Sequence, residues 1–257
     1  MTPLKICRIS LLLPASLVFL LAGLGVNLVF AGSDRWRARA NAISTMLWAR
    51  AMCSILGIRV VKRGAVMESG GFTVCNHMSY LDVFAVGSIR PSAFLSNHEV
   101  KGWPVVGWLA SLGGTVFVNR KSKRAALDAM REIEQKINAG IAVIIFPEGT
   151  TSDGRSVKAF KSTFFKIPAD RNFPVVPVSI RYAPDMQDEL VWHGGMKLAP
   201  HFWKIIGFRR IEATVHFSRP IWKSSDAFSS AELRKRLCAE AYERVVAGFN
   251  ACGTMVR

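Results

Sequence analysis

The chain has 257 residues, half of them hydrophobic, with 34 lysines and arginines against 18 acidic residues and a formal net charge of +16. This length suits one sizeable α/β domain plus an anchor, and the charge suits either nucleic acid or an anionic membrane surface. The sequence has no zinc-finger spacing, RNA-stacking motif or helix-turn-helix signal, so we expect membrane lipids as partners and no nucleic acid.

The first element is an uncharged, apolar run over residues 9–32, which is longer than the roughly 20 residues that cross a bilayer core. More basic residues follow the run (Arg35, Arg37, Arg39) than precede it (Lys5, Arg8), which predicts that the rest of the chain lies on the cytoplasmic side of the inner membrane. Two alternatives stay open: the run is a cleaved signal peptide, or Pro14 and Gly23 bend it into a re-entrant or interfacial helix.

A second helix is predicted over residues 42–56, because Met46, Ala49, Cys53 and Leu56 share one stripe at helical spacing. Its Trp48 suits a membrane interface. With the first helix it would form a two-helix, single-pass or monotopic membrane anchor over residues 1–58. The remaining domain would then cover residues 59–257.

Six strand-like runs recur along this domain, over residues 71–75, 93–96, 115–118, 141–146, 175–182 and 211–217. Helical patterns lie among them; the clearest covers residues 122–138 and the last covers about 229–249. This alternation predicts an α/β fold with a mostly parallel central sheet flanked by helices. Several polar segments begin where a run ends. We therefore expect them at the carboxyl edge of the sheet, where open α/β sheets bind ligands.

The first polar segment contains His77 and Asp82, five residues apart. Histidine is the usual side chain for taking a proton from a hydroxyl, and a carboxylate on its far ring nitrogen would fix the tautomer. On one helix this separation puts side chains about 140° apart, so the two meet only if His77 precedes the helix and Asp82 lies in its first turn. Alternatively, Asp82 only caps the helix and His77 is an ordinary loop histidine. Asn76 either shapes this loop or donates to an oxyanion.

The five cysteines are scattered and form no Cys-x-x-Cys pair, which indicates reduced thiols and neither a disulfide framework nor a zinc site. Cys75 lies two residues before His77 and is the candidate thiolate nucleophile, but it closes a strand, so we expect a core cysteine. The histidines outside this segment show no metal-ligand spacing. No metal and no cofactor are expected.

Two later segments supply charge and a tight turn. Arg120 follows the 115–118 run, and its guanidinium can grip a phosphate with two hydrogen bonds, unless it is a solvated member of the surrounding basic cluster. Gly149 lets backbone amides approach an anion. Glu148 would either bind an acceptor hydroxyl or hold a basic side chain in place.

Together these segments resemble the four motifs of the glycerolipid acyltransferases of the 1-acylglycerol-3-phosphate O-acyltransferase kind. Asn-His-x-x-x-x-Asp at 76–82 resembles the first motif, and residues 114–120, 146–152 and 175–178 resemble the second, third and fourth, in the order found in the family. The resemblance covers about residues 70–220. Each motif alone is a weak match, but four in order indicate the family.

The resemblance implies that His77 is the general base, that Asp82 supports it, and that no covalent acyl-enzyme forms. It also implies substrate contacts for Asn76, Arg120, Glu148, Gly149, Thr150, Thr151, Lys161 and Pro177. In the family the fourth motif, around Pro177, lines the acyl-binding region, although a central strand has the same apolar pattern. Many family members carry Arg where this chain has Thr151, so Arg155, Lys158 or Lys161 would have to supply that charge.

The predicted activity is transfer of a fatty acyl chain from acyl-CoA or acyl-carrier protein to the free hydroxyl of 1-acylglycerol-3-phosphate (lysophosphatidic acid), which gives phosphatidic acid. Thr151 leaves other acceptors open, chiefly lyso-ornithine lipid, then another lysophospholipid or glycerol-3-phosphate. An alternative of a different class is a non-catalytic lipid-binding membrane protein. The intact His77, Asp82 and Glu148 argue against it, because a binding protein needs no base.

Overall fold

The computed structural model describes residues 2–223 and 228–254. Within these residues the helices are α1 Pro3–Val29, α2 Asp34–Leu56, α3 Leu81–Gly87, α4 Val106–Leu112, α5 Lys123–Asn138, α6 Lys166–Arg171, α7 Gln187–Leu190, α8 Leu198–Ile205 and α9 Ser230–Thr254. Two short 3₁₀ helices lie at His98–Gly102 and Thr163–Phe165.

The strands form one sheet in the order β1-β7-β6-β2-β5-β3-β4; their bounds are β1 Ile58–Arg63, β2 Phe72–Cys75, β3 Ser92–Asn97, β4 Val116–Val118, β5 Ala142–Ile145, β6 Val175–Tyr182 and β7 Ile211–Phe217. Neighbouring strands run parallel except β6 and β7, which pair antiparallel. Helix α9 packs on β6 and β7, α5 on β4 and β5, and α2 on β1 and β3. The predicted α/β fold with a mostly parallel sheet flanked by helices is confirmed.

The clearest predicted helix, over 122–138, is observed as α5. Ser122 caps its first turn, where the Oγ atom accepts a hydrogen bond from the backbone N–H of Ala125 at 3.2 Å. The apolar stripe that includes Ile133 and Ile137 is buried against the sheet. The chain leaves the helix through Gly140, whose φ of +82° favours glycine.

Strand β1 was not predicted. Helix α2 ends at Gly57, whose φ of +72° turns the chain directly into this strand at the edge of the sheet. An edge strand needs only a partly buried face and is commonly blunted by charge. Here the charges are Arg59, Lys62 and Arg63, which hid the strand pattern in the sequence.

The two-helix anchor was wrong in one respect. Among the described helices, only α1 is long and apolar enough to cross a bilayer, with a mean hydropathy of 2.3. Helix α2 carries basic residues along its length, and its apolar stripe is used inside the domain, where Cys53 and Leu56 join the main hydrophobic core. The candidate anchor is therefore one helix, and the boundary at residue 58 stays a prediction.

The sheet order explains how distant segments form one site. Strands β2 and β5 are direct neighbours and parallel, so the segments that follow them leave the sheet at the same edge. Strand β4 ends at that edge too, with β3 between it and β5. Residues 76–82, 146–152 and 119–120 thus emerge side by side, as predicted from the alternation of elements.

Candidate active site

His77 and Asp82 meet at the carboxyl end of β2. The Nδ1 atom of His77 lies 2.8 Å from Oδ2 of Asp82, and the imidazole stacks on the ring of Phe146 with centroids 4.0 Å apart. The His77 side chain is 19% exposed, whereas that of Asp82 is fully buried. When Nδ1–H donates to the carboxylate, Nε2 keeps its lone pair and can accept a proton.

Asp82 also holds the loop that carries His77. Its Oδ2 atom accepts hydrogen bonds from the backbone N–H groups of Met78 at 2.7 Å and Ser79 at 2.9 Å, and helix α3 begins at the preceding Leu81. Asp82 therefore both orients the imidazole and secures the turn before the helix. The pairing with His77 is the one of the two interpretations that the geometry matches, because Asp82 contacts the imidazole as well as the loop.

Glu148 joins the third segment to the first. It is 3% exposed, and its Oε1 atom accepts from the backbone N–H of His77 at 2.8 Å while Oε2 accepts from that of Lys158 at 3.2 Å. Burial raises the pKa of Glu148 to about 7, although these two backbone donors and the charge of Lys158 oppose the rise. Glu148 thus fixes the loop of His77 from behind, and the predicted contact with an acceptor hydroxyl or a basic side chain stays a prediction.

Two cations converge above Gly149. The Nη1 atom of Arg120 donates to the Gly149 carbonyl at 2.5 Å. A methyl group placed on the Gly149 Cα, where φ is +78°, would lie 2.7 Å from Nη1 of Arg120 and 2.8 Å from Nζ of Lys161. Both side chains are exposed, and within the described part of the chain neither forms an ion pair with a carboxylate. This pair can hold an anion.

Cys75 is a core residue. Its side chain is fully buried, and desolvation raises the pKa of the thiol well above its ordinary value, with the nearby charge of Asp82 adding to the rise. A thiolate is the reactive form of cysteine. Cys75 therefore lacks the properties of a nucleophile.

A family model described as "Acyltransferase" matches residues 43–181. The chain belongs to this acyltransferase family. The four segments that suggested the family from the sequence all lie within the matched region.

Named relatives agree with this assignment, and one solved structure has the same fold. The chain is 33% identical over 238 residues to a lyso-ornithine lipid O-acyltransferase of Rhodobacter capsulatus, which covers 88% of this chain and 86% of the relative. It is 30% identical over 164 residues to a 1-acyl-sn-glycerol-3-phosphate acyltransferase of Neisseria gonorrhoeae, covering 63% of this chain and 64% of the relative. The crystal structure of the 1-acyl-sn-glycerophosphate acyltransferase PlsC from Thermotoga maritima has the same fold, with a TM-score of 0.63, 23% identity, and coverage of 92% of this chain and 95% of PlsC.

Three residues assigned to substrate in this acyltransferase have other contacts. The side-chain amide of Asn76 is buried and bonds both backbone groups of Ile180, donating at 2.9 Å and accepting at 2.8 Å, so it shapes the loop. Pro177 is buried within β6 beside Val74, which is the place of a core residue. Thr151 is also buried, and its carbonyl accepts from Nζ of Lys158 at 2.8 Å. Of the predicted substitutes for the missing arginine, Lys161 is the one beside Arg120.

Gly149 and Thr150 lie on the accessible side of the third segment, and Thr150 is exposed. Their contact with substrate, like that of Arg120 and Lys161, stays a prediction.

Two tyrosines near the site were not predicted. Tyr182 donates its hydroxyl to Oδ1 of Asp82 at 2.5 Å, and the hydroxyl of Tyr80 lies 3.1 Å from Nδ1 of His201 on α8. A usable signal existed for Tyr182, because it closes a predicted strand and so had to lie at the ligand-binding edge of the sheet. Tyr80 depends on the position of α8, which no local pattern reveals.

Proposed function

We propose that this protein is a lyso-lipid O-acyltransferase that moves a fatty acyl chain from the thioester of acyl-CoA or acyl-carrier protein to a lipid hydroxyl. The observation that carries the proposal is the 2.8 Å contact between His77 and a fully buried Asp82, at the carboxyl edge of the sheet in a member of the acyltransferase family. A carboxylate buried behind an imidazole is the arrangement that general-base catalysis needs. A non-catalytic lipid-binding protein has no use for it.

This geometry supports a direct transfer reaction. The acceptor oxygen attacks the thioester carbonyl while Nε2 of His77 takes its proton, and Asp82 stabilises the imidazolium that forms. The tetrahedral intermediate collapses as the C–S bond breaks, and His77 returns the proton to the leaving thiolate. The acyl chain ends in an ester with the acceptor, without a covalent acyl-enzyme. The burial of Cys75 is consistent with this direct route.

For the acceptor we favour lyso-ornithine lipid. The relative of that name from Rhodobacter capsulatus aligns over 88% of this chain, against 63% for the Neisseria gonorrhoeae relative named for 1-acylglycerol-3-phosphate. Thr151 replaces a family arginine and is buried, which weakens the case for a phosphate. Arg120 and Lys161 support the second candidate, 1-acylglycerol-3-phosphate, although they would also bind the carboxylate of ornithine.

A competition assay tests both acceptors. The purified full chain receives acyl-CoA or acyl-carrier protein together with equal amounts of lyso-ornithine lipid and 1-acylglycerol-3-phosphate, and mass spectrometry identifies the products. We expect ornithine lipid to form faster than phosphatidate. Faster formation of phosphatidate would reverse the acceptor assignment and leave the chemistry intact. Absence of both products, and of product from other lyso-lipids, would refute the acyltransferase proposal.

We further propose that the protein lies on the cytoplasmic face of the inner membrane, with α1 in the interface. Both ends of α1 contact the domain: Arg8 donates to the carbonyl of Phe208, just beyond α8, at 2.5 Å, and Asn27 donates to that of Leu112, at the end of α4, at 3.3 Å. Between these ends the helix exposes large apolar side chains. A helix attached at both ends to one domain is suited to lie along the membrane surface.

A further inference from the structure

We propose that Tyr182 is a positioning residue for the catalytic pair: its hydroxyl holds the Asp82 carboxylate in the orientation that serves His77. Tyr182 is the last residue of β6, is 1% exposed, and donates to Oδ1 of Asp82 at 2.5 Å. This inference rests on the proposed function of His77 as a general base. It lies outside the sequence patterns that suggested the activity.

The two oxygens of Asp82 are held from opposite sides. Oδ2 receives the imidazole and two backbone N–H groups of the loop, whereas Oδ1 receives the hydroxyl of Tyr182. Among the described residues, Tyr182 is the hydrogen-bond donor to Oδ1. The carboxylate plane is therefore set by a strand on one side and by the catalytic loop on the other. Without Tyr182, a buried oxygen would lose its partner, and the carboxylate could rotate.

The end of β6 is itself tied to the catalytic loop. Asn76, next to His77, bonds both backbone groups of Ile180, which lies two residues before Tyr182. This contact fixes where β6 ends relative to β2. It thereby brings the phenol of Tyr182 within hydrogen-bonding distance of Asp82.

Tyr182 remains a hydrogen-bond donor under all ordinary conditions. Burial and the neighbouring negative charge of Asp82 raise the pKa of the phenol well above its usual value. A neutral donor on Oδ1 stabilises the charged carboxylate that faces the imidazole. Loss of this donor would leave a buried oxygen without a partner and let the carboxylate turn away from His77.

The test compares Tyr182→Phe with Tyr242→Phe in the full chain. Tyr242 is a matched control, because its hydroxyl also donates a hydrogen bond, to the carbonyl of Val157 at 3.2 Å, away from Asp82. Removal of one hydrogen bond to a charged group should lower kcat/KM by about 10- to 100-fold. Tyr242→Phe should leave kcat/KM unchanged.

Two further measurements separate positioning from a general loss of structure. In the Asp82→Asn background, Tyr182→Phe should have no additional effect on kcat/KM, whereas damage to the fold would add to it. The NMR signal of the proton on Nδ1 of His77, followed with labelled histidine, should shift in Tyr182→Phe and not in Tyr242→Phe, because the carboxylate that accepts this proton changes its orientation. This NMR result does not depend on acyl transfer, so it tests Tyr182 even if the proposed function fails. An unchanged signal, or equal kinetics for the two phenylalanine variants, would overturn the role of Tyr182.

Discussion

Glu148→Gln tests whether burial raises the pKa of the Glu148 carboxyl, which lies behind the loop of His77, and so lowers the stability of the folded protein near neutral pH. Folding removes Glu148 from water and raises its pKa from 4.5 to about 7. The folded chain therefore holds this proton more tightly than the unfolded chain does. As pH rises from about 4.5 to about 7, the unfolded chain releases the proton first, so the free energy of unfolding falls.

The size of the effect follows from the same pKa values. A pKa that rises from 4.5 to about 7 on folding corresponds to a loss of about 3 kcal/mol in the free energy of unfolding, complete above pH 7. Glutamine has nearly the same shape and does not titrate. The variant should therefore lack this pH dependence. It should also be less stable by about 1–3 kcal/mol at every pH, because the amide N–H₂ group of glutamine would face a backbone N–H donor, that of His77 or of Lys158.

Urea unfolding of the wild type and Glu148→Gln across pH 4.5 to 8 measures the difference. The stability of the variant relative to the wild type should improve by about 3 kcal/mol over this range. Glu243→Gln, at an exposed position of α9, is the control and should track the wild type. Parallel curves for wild type and Glu148→Gln would refute the reasoning, because Glu148 would then titrate alike in both states.

Two other predictions concern the anion site and the lie of α1. Gly149→Ala places a methyl group among the cationic ends of Arg120 and Lys161, so it should raise the acceptor KM more than it lowers kcat. Gly194→Ala is the control, because Gly194 has a similar φ of +61° and no other atom lies within 4 Å of the added methyl group. It should leave KM unchanged. A protease-cleavable tag at the N-terminus should be cut in sealed vesicles that expose the catalytic domain, because the proposed interfacial position of α1 keeps both of its ends on that side. Equal KM values for the two alanine variants, or a protected tag, would contradict these expectations.

Most of the fold could be predicted from the sequence, because most helices and strands have a recognisable local pattern of apolar residues. The 122–138 stripe and the apolar runs before each polar segment gave α5 and the central strands. Strand β1 was not predicted, because three basic residues interrupt the apolar pattern of this strand at the edge of the sheet. Helix α2 was misjudged as part of the anchor because its stripe faces the sheet, and sequence periodicity does not tell a core face from a membrane face.

The site was predictable where a residue's role depends on its own loop, and less so where it depends on another strand. The pairing of His77 with Asp82 follows from a separation that only a loop and a first helical turn can close. Asn76 and Glu148 were predicted to contact substrate, but the partners seen in the structure are backbone groups of distant segments. Those partners follow from strand order, which the sequence does not state. Tyr182 closes a predicted strand at the ligand-binding edge, but its contact with Asp82 depends on that strand order too.

The central claim is that His77 removes the proton of the acceptor hydroxyl, and single-turnover acyl transfer by His77→Ala measures it most directly. With donor and acceptor bound at saturating concentrations near neutral pH, the variant should lose about 10²–10⁴-fold in rate, the usual contribution of a positioned general base. His98→Ala, which removes an exposed imidazole at the start of a 3₁₀ helix, should match the wild type. A His77→Ala variant that transfers acyl groups at the wild-type rate would contradict the account.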